Sequence, residues 1–302
     1  MGPVPPVVVL FPCDPSRPRA VDPAFGREVA AAQAAGLSWG VVDHDAAARG
    51  DLDEAVADAP RGPAGAVYRG WMLRPARYAG LHDALVARDL APLTDPGAYR
   101  AAHHLPGWYP ALEAVTPRSV WLDVEGGLGP ERVVAAARAF GDRALVVKDF
   151  VKSEKHLWAE ACFVPRASDA PALLRVVARF LAERGPDLEG GLVLREHVAL
   201  DLVGAHAQSG MPLAVETRTF FLRGAVAYTL PYWEGTSAAV PPPPLERFAD
   251  ALARVRSPFF TADLARRADG EWLVLEVGDG QVSGIPEDAD PAPLYRALAA
   301  LS

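Results

Sequence analysis

Lys148, Lys152 and Lys155 are the only three lysines in a chain of 302 residues, and they fall within eight consecutive positions. Arginine supplies the rest of the 30 basic residues. The retained lysines therefore mark a place that uses a compact ammonium rather than a planar guanidinium. Their window reads Val146-Val147-Lys148-Asp149-Phe150-Val151-Lys152-Ser153-Glu154-Lys155-His156. Lys148 ends an apolar run, and the other two follow in a polar stretch. Ammonium groups this close together repel one another unless an anion joins them, and a polyphosphate does so. The alternative is a solvated loop in which Asp149 and Glu154 neutralise the lysines.

A second group is acidic. Asp263 lies near the end of one apolar alternating segment and Glu276 near the end of the next, with Gly278-Asp279-Gly280-Gln281 following. The Asp269-Gly270 pair between them is a hairpin turn. A hairpin sets the two carboxylates on one face, with Leu275 and Val277 on the other. A carboxylate among apolar neighbours is costly unless it meets a cation, and oxygen ligands of this kind suit Mg2+ bound together with phosphates. An exposed acidic hairpin is the alternative. Two further segments mix charge into apolar strands. Leu192–Val198 carries Arg195-Glu196-His197, and Glu216-Thr217-Arg218 places Glu216 and Arg218 on one face. No G-x-x-x-x-G-K-[ST] loop, G-x-S-x-G elbow or H-E-x-x-H helix occurs. His103-His104 reads as packing rather than metal binding.

The elements that must position these residues follow from periodicity. Strands are expected at Val7–Phe11, Ser38–Val42 and Ala66–Tyr68, alternating with helices at Phe25–Ala35, Pro75–Arg88 and Pro96–His104. That order implies a parallel sheet of the βαβ type. Pro106–Pro110 reads as a turn, and the first unit is expected to span residues 1–112. Beyond it come helix Glu131–Phe140, strand Arg143–Asp149, strand Ala159–Val164 and helix Ala170–Arg184, a lobe over 113–190. Strands then dominate a second lobe over 191–302: Leu192–Val198, Leu213–Leu222, Ala225–Tyr232, Phe259–Ala265 and Trp272–Val277. The fold class is thus an α/β front end on an α+β remainder.

Composition narrows the function. The net charge of −8 argues against a broad nucleic-acid-binding surface. No apolar run approaches a membrane span, and the N-terminus lacks the basic region of a signal peptide. Cys13 and Cys162 form no metal or redox motif. A cytoplasmic location is expected.

Taken in order, a strand ending in Lys148, a polar loop, a second lysine, Leu-Arg-Glu-His-Val, Glu-x-Arg, Asp263 and Leu-Glu-Val-Gly-Asp-Gly-Gln resemble an ATP-grasp enzyme. Tyr68-Arg69-Gly70-Trp71-Met72, Lys-Asp-Phe-Val-Lys-Ser and Gly-Asp-Gly-Gln-Val-Ser-Gly narrow the resemblance. They are similar to the bacterial branch of the divergent clade named for one arginine and two lysines, which also includes a eukaryotic assembly factor for a translation-initiation complex. The resemblance covers nearly the whole chain and implies an ATP-grasp domain at 113–302 behind an N-terminal α/β domain at 1–112.

The resemblance also implies roles. Lys148 and one of Lys152 or Lys155 would hold the ATP phosphates, with Arg195 as a further cofactor contact. Glu196 and the backbone near Val198 would meet adenine, and Asp201 the ribose. Arg218 is the first choice for the clade's arginine and Arg195 the second; Arg218 and Lys148 would be catalytic, and Glu216 a further cofactor contact. Asp263 and Glu276 would bind Mg2+. The family usually places Asn two residues after that glutamate. Here the position is Gly278 in a chain with no Asn, so Asp279 or Gln281 is expected to complete the shell. Arg69, Trp71 and Tyr109 are expected near the substrate. The implied activity is ligation of a peptide, amino-acid or protein carboxylate to an amine through an acyl phosphate. The alternatives are an ATP-binding assembly factor for a protein complex and a small-molecule phosphotransferase on the same fold.

Overall fold

The computed structural model describes residues 6–205, 212–236 and 240–302. Its first layer is built from β1 (Val7–Asp14), β2 (Arg17–Val21), α1 (Gly26–Ala34), β3 (Ser38–Val42), α2 (His44–Arg49), α3 (Leu52–Ala55), β4 (Ala64–Tyr68), α4 (Pro75–Val86) and β5 (Leu90–Pro92). Strands β3, β1, β4 and β5 run parallel in that order, and β2 folds back antiparallel on the end of β1. Every residue of β1 is buried, as a central parallel strand covered on both faces requires.

α5 (Pro96–His103) starts at Asp95, whose carboxylate accepts from the Ala98 N–H at 2.9 Å. α6 (Leu105–Leu112) replaces the turn expected at Pro106–Pro110. Pro106 sits in its first turn, where a missing N–H costs nothing. Leu105, Trp108, Tyr109 and Leu112 then share one buried face, whose packing overrides the second proline.

The second layer is an antiparallel sheet of β6 (Ser119–Asp123), β7 (Leu145–Asp149), β8 (Phe163–Val164) and β9 (Gly191–Glu196), ordered β6-β9-β7-β8. α7 (Pro130–Ala137) and α8 (Ala170–Arg184) cover one of its faces through Val133, Leu173, Val177 and Phe180, with Phe140 just beyond α7. Leu145, Val147, Leu192 and Leu194 meet them. By alternation Val146, Lys148, Val193 and Arg195 look the opposite way. The strand expected at Ala159–Val164 is instead a π-turn over Trp158–Cys162 followed by the short β8. β6 has no counterpart among the expected strands.

The third layer opens with the antiparallel pair β10 (Leu202–Ala205) and β11 (Pro212–Ala214). The sheet itself comprises β12 (Glu216–Leu222), β13 (Ala225–Pro231), β14 (Phe259–Arg266) and β15 (Trp272–Asp279), ordered β13-β12-β14-β15 and antiparallel. Phe221, Phe260, Ala262, Leu264, Val274 and Val277 pack with α6 and with α9 (Ala249–Leu252). α10 (Ala292–Ala299) returns to the first layer, where Leu294, Tyr295 and Leu298 join Val9, Phe11 and Ala32.

Arg69, expected near substrate, is instead a strut between layers. It is fully buried, donates to Glu28 through Nε and Nη2, and spends Nη1 on the carbonyls of Gly280 and Ser283. Tyr295 donates to the same glutamate at 2.6 Å. With every donor occupied, Arg69 has none to offer a substrate. Arg69→Met should lower stability by about 3–5 kcal/mol, because Glu28 loses its buried cation. Adding Glu28→Gln should recover most of that loss, both read from urea denaturation midpoints.

Candidate active site

Lys148 and Glu276 form an ion pair between the second and third sheets, which also share an apolar core through Val193, Phe260 and Val274. Lys148 Nζ, from β7, donates to Glu276 Oε2, from β15, at 2.6 Å. Lys148 is 5% exposed, and burial pushes its ammonium below the ordinary lysine value, partly offset by Glu276. Arg195 stands on the same face of β9 and adds repulsion to Lys148. Its Nη2 donates to Thr116 Oγ1 at 2.7 Å and to the Leu275 carbonyl at 2.6 Å, and its guanidinium lies 5.5 Å over the Trp108 ring. The Nε and Nη1 of this buried arginine have no hydrogen-bond partner among the described residues. Two buried cations thus face one carboxylate.

Beside them on the third sheet, Arg218 grips Asp263 in a two-pronged pair, Nε to Oδ1 and Nη2 to Oδ2, each at 2.8 Å. Its Nη1 donates to the Gly284 carbonyl, and Tyr232 lies under the guanidinium at 4.6 Å. Burial opposes the charge on Arg218, but Asp263 holds it above the ordinary arginine value. Glu216 is buried on the same face of β12. Asp263 and Glu276 are register partners across β14 and β15. A bulge follows immediately, because Leu264 pairs with Val274 and leaves Leu275 unpaired.

The lysine loop is held from below. Asp149 is fully buried and accepts the Val151 and Lys152 N–H groups at Oδ1. Arg184 of α8 donates to Asp149 Oδ2 at 3.0 Å and to Glu154 at 3.2 Å. The two acids considered as partners of the lysines therefore serve Arg184. Lys152 is exposed, and its ammonium has no ion pair among the described residues. The side chain of Lys155 lies outside what is described. No pattern in the sequence points to Arg184, whose role depends on α8 ending beneath the loop.

Elsewhere the expected residues scatter. Glu196 pairs with Arg143 at 3.2 Å. Glu196 and Val198 border a cavity of about 350 Å³, with Thr116, Arg118, Phe248 and Trp272 among its other walls. The Asp201 carboxylate is taken by Arg266 at 2.8 Å. Trp71 is half exposed and donates to Asp22 at 3.0 Å. Tyr109 is core: it is 5% exposed, accepts the Ser119 N–H and packs edge-on to Trp121. It has no open face for a substrate. His103 stacks on Tyr99, His104 lies tilted against His103, and the two approach Glu189 at 3.7 and 2.8 Å. Burial takes His103 down to about 4.

Asp279 also departs from expectation. It pairs in register with Phe260, on the face opposite Asp263 and Glu276, and is fully buried. Its Oδ1 accepts from the Gln281 backbone and side chain, so neither residue joins the carboxylates at the cleft. The remaining donors still suit Mg2+, which binds through one or two carboxylates plus substrate phosphates. No cluster of three metal-ligating His, Cys, Asp or Glu side chains occurs among the described residues. The orphaned nitrogens of Arg195 and the unpaired Lys152 suit a polyphosphate.

Two antiparallel sheets facing each other across a cation-rich cleft, behind a parallel α/β layer, constitute the ATP-grasp fold. Solved structures share it over nearly their full length. The RimK-domain ATP-grasp protein of Sphaerobacter thermophilus aligns with a TM-score of 0.57 at 14% identity, covering 98% of each chain. D-cycloserine synthetase DcsG aligns at 0.60 and 18% identity, covering 98% of this chain and 99% of its own. The ATP-grasp ligase PsnB, complexed with a minimal precursor, Mg and ADP, aligns at 0.57 and 15%, covering 98% and 97%. No curated protein matches the chain in sequence. The model for the ATP-grasp domain of family 3, in the clade of one arginine and two lysines, matches residues 139–298, and the chain belongs to that family. ATP-grasp enzymes use ATP and Mg2+. No described helix is long and apolar enough to cross a membrane.

Burial raises the Asp279 carboxyl to about 7, against the Gln281 hydrogen bonds and the distant Arg69 charge that lower it. Tyr78 and Tyr99 are the neighbouring titratable groups. A raised carboxyl keeps its proton in the folded chain while the unfolded chain ionises, so stability falls as pH rises from about 4 to about 7. Asp279→Asn should remove this slope, about 1.4 kcal/mol per pH unit, as checked by denaturation at several pH values.

Proposed function

We propose that the chain is an ATP- and Mg2+-dependent ligase that phosphorylates a carboxylate to an acyl phosphate and joins it to an amine or similar nucleophile, releasing ADP and phosphate. One observation carries this reading: the pair formed by buried Lys148 and half-buried Glu276, which bridges the two sheets. Each partner is satisfied mainly by the other, and a nucleotide with its metal offers both charges at once. Lys148 can then turn to a phosphate and Glu276 to the metal.

The other residues divide accordingly. Lys152 and Arg195 add donors to the phosphates, and Lys155 follows Lys152 in the same loop. Glu196 and Val198, at the cavity they border, meet adenine, and Asp201 reaches the ribose by exchanging Arg266. Asp263 and Glu276 are the metal carboxylates. Mg2+ supplies charge neutralisation at the transferring phosphoryl group. Arg218, fixed by Asp263, Glu216 and the Tyr232 ring, presents a permanent positive charge where negative charge develops on the substrate. The segment from Lys152 to Trp158 excludes water when it closes over the nucleotide. A carboxylate is a poor electrophile and an acyl phosphate a good one, so positioning and charge do the remaining work. The structural neighbours favour a peptide or small-molecule substrate, since PsnB binds a precursor and DcsG is a D-cycloserine synthetase. Trp71, exposed near the loop that Arg69 anchors, is the residue we place nearest that substrate.

Saturating ATP with Mg2+ should raise the melting temperature by several degrees, since about 100 Kd of ligand adds about 2.7 kcal/mol. Lys148→Ala and Glu276→Gln should each abolish the shift in a thermal melt. An unchanged melt of the native chain would remove the nucleotide assignment. Ligase chemistry further requires that ADP release, followed by a coupled assay, depend on both a carboxylate and an amine; turnover with either alone would contradict it.

A further inference from the structure

The space beside Gly278 is occupied by hydroxyls. A Cβ built on Gly278 would stand 3.0 Å from Ser283 Oγ and 3.2 Å from Thr261 Oγ1. Thr261 pairs in register with Gly278 and lies two residues before Asp263, while Gly278 lies two residues after Glu276. Alternation therefore puts Thr261, Asp263, Glu276 and the Gly278 position on one face of the sheet. Ser283 reaches that face from the loop after β15, whose carbonyls are tied to Arg69 and Arg218.

The proton positions follow from the partners. Ser283 Oγ donates to the Asp279 carbonyl at 2.8 Å. The contact between Thr261 Oγ1 and Ser283 Oγ, also 2.8 Å, then has Thr261 as its donor. Both hydroxyl protons are directed into the protein, which leaves each oxygen acceptor capacity; Thr261 is 1% and Ser283 8% exposed, as closed off as Asp263 and Lys148 at 5%. An acceptor oxygen with its proton turned away is what a hydrated Mg2+ asks of its neighbours, since its waters are donors. A carboxamide at position 278 would offer the same neutral oxygen.

We infer that the Thr261–Ser283 hydroxyl pair, rather than Asp279 or Gln281, completes the metal site beside Asp263 and Glu276 by accepting hydrogen bonds from metal-bound water. The inference rests on the nucleotide–metal reading above. It explains how a glycine is accommodated at position 278: the neutral oxygen arrives from a neighbouring strand and a following loop.

Mn2+ titrated into the ATP-saturated protein and followed by electron paramagnetic resonance tests it, with ATP binding in excess chelator measured alongside. Thr261→Val and Ser283→Ala should each weaken Mn2+ uptake about tenfold, the usual scale for residues behind the direct ligands. Metal-free ATP affinity should be unchanged. Asp279→Asn should bind Mn2+ as the native chain does. Gly278→Asn combined with Ser283→Ala should restore uptake, and its melting curve controls for folding. Native-like Mn2+ uptake in both hydroxyl variants, or loss of uptake in Asp279→Asn, overturns the hydroxyl assignment alone. No uptake by the native chain with ATP overturns the nucleotide–metal reading and the hydroxyl assignment with it.

Discussion

Lys148 and Glu276 come from strands 128 positions apart and meet at 2.6 Å where two sheets face each other. Val193 packs in one core with Phe260 and Val274 of the facing sheet, and the Lys148–Glu276 contact supplies the partner that buried Lys148 needs, since burying an unpaired charge costs several kcal/mol. It does not balance the cleft. Arg195 is buried beside Lys148 with two guanidinium nitrogens unmatched, and Lys152 waits at the rim with no ion pair among the described residues. Arg218 and Asp263 neutralise each other and leave that excess untouched. The cleft therefore holds more positive than negative charge in a setting where water screens poorly. An anion entering it relieves repulsion already present in the fold.

The surrounding structure keeps that excess from collapsing. Asp149 and Glu154 are the acids closest in sequence to the lysines and could have quenched them. Arg184 holds both from the end of α8, so the loop keeps its shape while the ammonium of Lys152 stays uncommitted. Arg69 acts similarly on the other side. Its bonds to Gly280 and Ser283 pin the loop after β15, and Glu28 and Tyr295 pin Arg69. Side chains with every polar atom spent are thus what hold the less satisfied ones in place.

This division explains which parts of the site are legible in the sequence. Lysine scarcity draws attention to Lys148, Lys152 and Lys155, of which the fold brings Lys148 to the cleft between the sheets and leaves Lys152 exposed. Alternation in β12, β14 and β15 likewise exposes Glu216, Arg218, Asp263 and Glu276, since a half-buried strand writes its face into its composition. Arg69, Tyr109 and Asp279 mislead for a common reason. Each is polar and lies near functional residues, but its partners come from distant segments or a following loop: Glu28 for Arg69, Ser119 for Tyr109, and Tyr78 and Gln281 around Asp279. Only the fold reveals that Arg69 and Tyr109 are consumed and that Asp279 is buried, with Oδ1 on Gln281 and Oδ2 without a hydrogen-bond partner among the described residues. The α6 helix is hidden by its prolines, and Thr261 and Ser283 by being ordinary hydroxyls.

Even the carboxylate pair shares a face only because of an irregularity that simple alternation does not contain. With unbroken pairing from Trp272 opposite Arg266, Leu275 would stand opposite Asp263. Glu276 would then fall on the face of Val274 and Leu264, inside the apolar core. The bulge at Leu275 inserts one residue, reverses the alternation beyond it and turns Glu276 toward Lys148 while Val277 enters the core. The same residue gives its freed carbonyl to Arg195 at 2.6 Å. One unpaired residue thus joins the second and third sheets twice, once by aiming a carboxylate and once by supplying an acceptor. A register without it would bury an anion in hydrocarbon and leave both cations of the facing sheet unmatched. The position of the bulge, rather than the mere presence of the glutamate, is what brings Glu276 to Lys148.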